Sequence, residues 1–110
     1  VESDRQLKLW YRKYNKLYWN GELPDNTVIY WCPSPGAHAD TCPVFEVADG
    51  VFEIKLDPAI QGTVKFWHIM LLHEMVHVRL WPRHPKHNHG KLFEQEKSRI
   101  YALGALKKLW

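Results

Sequence analysis

His73-Glu74-Met75-Val76-His77 sits inside residues 64–81, a mostly apolar stretch of helical length. Side chains four apart on a helix share a face, so both imidazoles can grip one metal ion while Glu74 projects beside it. An H-E-x-x-H pair, a further protein ligand and an open water position together make a catalytic zinc site. Placing a helix here orders the rest of the chain. Thr63 is its expected N-cap, and Pro82 stops it just beyond Trp81.

On the C-terminal side, residues 83–90 read as a loop holding His84, His87 and His89. From Lys91 onward, Leu92, Phe93, Glu96, Ile100, Leu103 and Leu106 mark a final amphipathic helix, with Phe93 as a core residue. On the N-terminal side, Phe52, Ile54 and Leu56 alternate with Glu53 and Lys55, a strand with one buried face that Asp57-Pro58 ends. Ala48-Asp49-Gly50 is a turn, so residues 44–47 and 51–56 are expected to form a hairpin. Residues 32–43, with three prolines and a glycine, read as a loop, and Thr27-Val28-Ile29-Tyr30-Trp31 as a strand. Ser3 or Asp4 can cap a first helix on which Leu7, Trp10, Tyr14, Leu17 and Tyr18 recur at helical spacing. Asn20-Gly21 and Pro24 end it. The expected order is helix, about three antiparallel strands, metal-binding helix, loop and C-terminal helix, one α+β domain over residues 1–110.

Composition narrows the function classes. A chain of 110 residues with 45% hydrophobic content fits one modest core. Residues 64–81 come nearest to a membrane span, but Lys65, His68, His73, Glu74, His77 and Arg79 interrupt them. No signal peptide is visible, although the chain starts at Val1. Cys32 and Cys42 lack C-x-x-C spacing and read as free thiols, as in a cytoplasmic protein, or a nuclear one in a eukaryote. The net charge of +3 is mild. Lys8, Arg12, Lys13 and Lys16 on the first helix, and Lys97, Arg99, Lys107 and Lys108 on the last, read first as solvated faces. They also offer a weak electrostatic contact to DNA.

The third ligand must come from His84, His87, His89, Glu94 or Glu96. The metzincin spacing fails, because Leu80 stands where glycine is needed and Arg83 where the third histidine is needed. Glu94 or Glu96 would suit a gluzincin, in which a downstream helix returns a glutamate to the metal. His89 is the better candidate: it directly precedes Gly90, where a sharp turn can aim its ring back at the metal helix. His68, five residues before His73, lies off the ligand face and reads as structural, and His38 as an exposed loop residue.

His73-Glu74-Met75-Val76-His77 followed by His89-Gly90-Lys91-Leu92-Phe93 resembles the SprT-like (Spartan-type) zinc metalloproteases, which carry H-E-x-x-H and then H-G-x-x-F opening a helix. Tyr14-Asn15-Lys16-Leu17-Tyr18-Trp19-Asn20-Gly21-Glu22-Leu23-Pro24 resembles a second signature of that family, an aromatic-Asn run ending in Gly-x-Leu-Pro. The resemblance implies a zincin-like minimal protease core in which His73, His77 and His89 bind one Zn2+ and Glu74 is the general base. It also implies cleavage of proteins, often ones attached to DNA, as in DNA–protein crosslink repair. The paired C-x-x-C ribbon that often supplies DNA binding in fuller members is not seen here. Arg79, His84, His87 and Tyr101 are candidates for supporting the oxyanion. The expectation is a soluble, monomeric zinc endopeptidase with a protein substrate and no membrane. The alternative is a zinc-stabilised nucleic-acid-binding module, in which exposed members of the six tryptophans stack on unpaired bases.

Overall fold

A computed structural model describes residues 2–33, 39–43, 52–80 and 90–105, with 39–43 described as backbone. Helix α1 (Arg5–Trp19) starts at Asp4, whose carboxylate accepts from the Leu7 amide at 3.0 Å. It ends at Asn20, which takes the left-handed conformation (φ 52°) that Asn tolerates better than most residues. The buried face of α1 is rotated from the expected stripe. Leu7, Tyr14 and Tyr18 are buried as expected, but Tyr11 and Asn15 join them, while Leu17 is 42% exposed. Polar handles explain the rotation. Tyr11 donates to the Pro24 carbonyl (2.7 Å), and Asn15 bonds both the amide and the carbonyl of Leu23 at 3.0 Å. These bonds staple the segment after α1 back onto the helix, which a leucine cannot do.

Strands β1 (Val28–Trp31), β2 (Ala39–Pro43) and β3 (Phe52–Leu56) form one sheet in the order β1-β3-β2. The expectation of an antiparallel sheet is corrected. β2 runs antiparallel to β3, but β1 pairs with β3 in parallel, with Val28 opposite Glu53 and Trp31 opposite Leu56. The reason lies in the middle strand. Phe52, Ile54 and Leu56 are all buried, so β3 takes the centre and separates β1 from β2. β2 ends in Pro43, which cannot donate to a ladder and suits an edge. The hairpin into β3 therefore has Ala39–Pro43 as its first arm, inside the expected loop. The expected arm 44–47 and its Asp49-Gly50 turn lie outside the described residues.

Asp57 caps a short 3-10 turn, Pro58–Ile60, and α2 (Val64–Leu80) follows Thr63, whose carbonyl accepts from the Trp67 amide at 3.1 Å. Helix α2 is the central element. Trp67, His68, Leu71, Leu72, Glu74, Met75, Val76, His77 and Val78 are buried, because the sheet, α1 and α3 each pack on a different side. No helix among the described residues is long and apolar enough to cross a membrane. Helix α3 (Lys91–Ala102) begins at Gly90 and buries Phe93 and Ile100; Leu92 and Leu103, expected on its apolar side, are exposed.

Candidate metal centre

The helical spacing of His73 and His77 brings their ring centroids to 5.0 Å, inclined at 70°. Glu74 turns its Oε2 to 3.8 Å from His73 Nε2. One ligand atom from each of His73, Glu74 and His77 lies within 4.8 Å of the others, and they form the one such group of three or more among the described residues. Glu74 is 2% exposed and His77 4%, so this is not a pair of surface histidines beside a solvated acid. Removing a carboxylate from water is costly unless a positive or hydrogen-bonding partner meets it. Imidazole nitrogens are donors that Zn2+ takes, with bonds of about 2.0–2.1 Å. The histidine pair therefore fits the group as ligands, with the Glu74 carboxylate close beside it.

Burial falls off along α2 away from Glu74 and His77. Along the helix face that carries the imidazoles, Phe66 is exposed and Met70 and His73 are half-buried. A third ring completes the inner side. Phe93, from the first turn of α3, stands 4.8 Å from both the His73 and the His77 ring centroids and is itself 2% exposed. The reading of Phe93 as core is right about burial but misses this contact. The clue in the sequence is its position in the first turn after His89-Gly90, on the helix returning toward the metal pair.

Two of the five third-ligand candidates are otherwise engaged. The Glu94 carboxylate pairs with Lys97 at 3.0 Å on the surface. Glu96 accepts from Trp19 Nε1 (2.9 Å) and from Arg99 Nε (2.6 Å). Burial alone would raise the Glu96 pKa, but the bonds from Arg99 and Trp19, with the charges of Arg99 and Arg79, outweigh it and hold the pKa below the usual value. Arg79 stands 3.8 Å from both Glu22 and Glu96, so its guanidinium belongs to this network at the far end of α2. His84, His87 and His89, with the remaining ligand expectation, lie outside the described residues, as does His38.

His68 has the structural role expected of it. It is buried, stacks on Trp67 (centroids 3.9 Å) and meets the edge of Trp10 at 4.5 Å. Its Nδ1 lies 2.6 Å from the Tyr14 hydroxyl, and burial lowers its pKa from 6.5 to about 4. Tyr14 is correspondingly pushed up, chiefly by burial. Cys32 is a free thiol. Among the described tryptophans, Trp19 and Trp67 are buried and Trp10 and Trp31 pack half-buried against the core.

Comparison of the chain with protein-family models, with characterised proteins and with solved structures found no significant match.

Proposed function

We propose that this protein is a zinc-dependent endopeptidase of SprT-like type. The observation that carries the reading is the gathering of His73, His77 and the buried Glu74 on α2, within reach of one another. His73 and His77 hold the ion, and His89, just ahead of the helix that brings Phe93 onto both rings, is the third ligand. Zinc bound there supplies Lewis acidity and a water that ionises near pH 7. Glu74 accepts the proton of the attacking water and delivers it to the leaving amine. Its burial serves this role, because a carboxylate shielded from bulk solvent keeps a fixed aim on the reacting water.

Glu74→Gln tests the reading. The amide retains the shape but cannot take a proton, so zinc content should be unchanged while casein cleavage falls by about 10²–10⁴-fold. Unchanged cleavage in Glu74→Gln, or none in zinc-loaded wild type, would overturn the enzyme reading.

The second reading is a zinc-stabilised nucleic-acid-binding module. Supporting it, Arg5, Lys8, Arg12, Lys13 and Lys16 share α1 with no acidic residue. However, Lys8 is spent on the Asp25 and Thr27 carbonyls, Arg12 pairs with Asp25, and Lys13 lies over the Trp10 ring. The buried Glu74 also has no purpose in such a module. Contact of α1 with DNA-bound substrates is compatible with the peptidase reading and is tested below.

A further inference from the structure

We propose that Phe93 is a positioning residue of the metal pair: its ring, reaching in from α3, helps to hold the His73 and His77 imidazoles in their ligand-bearing orientation before an ion arrives. This rests on the reading of those two histidines as zinc ligands. The three ring centroids form a nearly equilateral triangle, with 5.0 Å between the imidazoles and 4.8 Å from Phe93 to each. Histidine's terminal torsion is broad and roughly two-fold, so the rings packed against an imidazole help to set where it points. A flat apolar neighbour within the 4.5–7 Å range favoured for aromatic pairs narrows that arc for both residues together.

The ring can act this way because α3 is itself held. Gly90 opens the helix without a side-chain cap, its carbonyl accepting from the Glu94 amide at 3.1 Å. One turn beyond Phe93, Glu96 is tied to Trp19 and Arg99, and Arg99 Nη2 donates to the Tyr18 carbonyl at 2.9 Å. These bonds fasten α3 to the end of α1. Phe93 thus links helix docking to ligand orientation, a role that core packing alone does not require. Ile100 offers the contrast: it lies two turns further along α3, fully buried, and has no ring to present to the imidazoles.

The test measures zinc affinity by competition with a chromophoric chelator, on full-length Phe93→Leu, Phe93→Met, Phe93→Tyr and Ile100→Ala, each checked for folding by circular dichroism. Removing groups that orient metal ligands weakens affinity by about 10–100-fold. That loss is expected in Phe93→Leu and Phe93→Met, with recovery toward wild type in Phe93→Tyr, which restores a ring. Ile100→Ala should stay within about twofold of wild type while losing more stability, since it truncates a core side chain. The visible spectrum of the Co2+ form should change in Phe93→Leu and not in Ile100→Ala. Methionine keeps buried volume, so it carries the test if the leucine variant does not fold. Wild-type affinity in both ring-removing variants, or equal weakening in Ile100→Ala, overturns the positioning role and leaves the metal pair standing. Failure of the wild-type protein to bind zinc overturns both.

Discussion

Replacing Tyr14 and His68 together by phenylalanine should flatten the acid sensitivity of this domain. His68 is buried among Trp10, Tyr14 and Trp67 and has a folded-state pKa of about 4, against 6.5 when exposed. Between those values the unfolded chain binds a proton that the folded chain refuses. Stability from neutral His68 is therefore complete above pH 6.5 and is lost as pH falls toward about 4. At about 1.4 kcal/mol per pH unit, the gap limits the contribution to about 3 kcal/mol. That is a large share of the roughly 5–15 kcal/mol that holds a typical domain together. The double variant replaces both partners of the 2.6 Å bond with rings of similar shape, so neither polar group is left stranded. Urea unfolding at a series of pH values should show wild type losing up to about 3 kcal/mol more than the variant between pH 7 and 4. Parallel curves, or a His68 ring titrating near 6.5 in the folded protein by NMR, would refute the reasoning.

Further predictions follow from other contacts. Tyr14→Phe alone strands the buried His68 Nδ1 and should cost about 1–3 kcal/mol in chemical unfolding, against little change in the double variant. Asn15→Ala removes both bonds to Leu23 and should cost a similar amount, about 1–3 kcal/mol, with faster proteolysis after residue 20. Glu96 has a lowered pKa, so its stabilisation is present above the unfolded carboxylate value and lost as pH falls through the folded one. Glu96→Gln should accordingly be less stable than wild type at pH 7, with the difference closing in acid. Exchanging Lys13 and Lys16 for Glu should weaken any single-stranded DNA binding and reduce its salt dependence while leaving casein cleavage unchanged.

Helix ends and the central pair could be read from the chain because short-range chemistry sets them. Asp4 caps, Asn20 adopts the left-handed turn, and Asp57-Pro58 stops β3. The four-residue spacing that joins His73 to His77 is likewise a property of the helix alone. Strand neighbours could not be read, because alternation in Phe52, Ile54 and Leu56 shows which face is buried and not which strand lies beside it. Ala39–Pro43 has no apolar alternation at all; its backbone pairing with β3 makes it a strand. Leu17 was a sensible core candidate by hydropathy, yet the hydrogen bonds of Tyr11 and Asn15 turn α1 the other way. The contact of Phe93 with both imidazoles depends on how α3 docks on α2, which no local pattern encodes.

Zinc titration of the metal-stripped protein tests the central claim most directly. One equivalent should bind to wild type, and His77→Ala should lose it, because a donor to the ion is gone. Zinc binding that is absent from wild type, or undiminished in His77→Ala, would contradict the account.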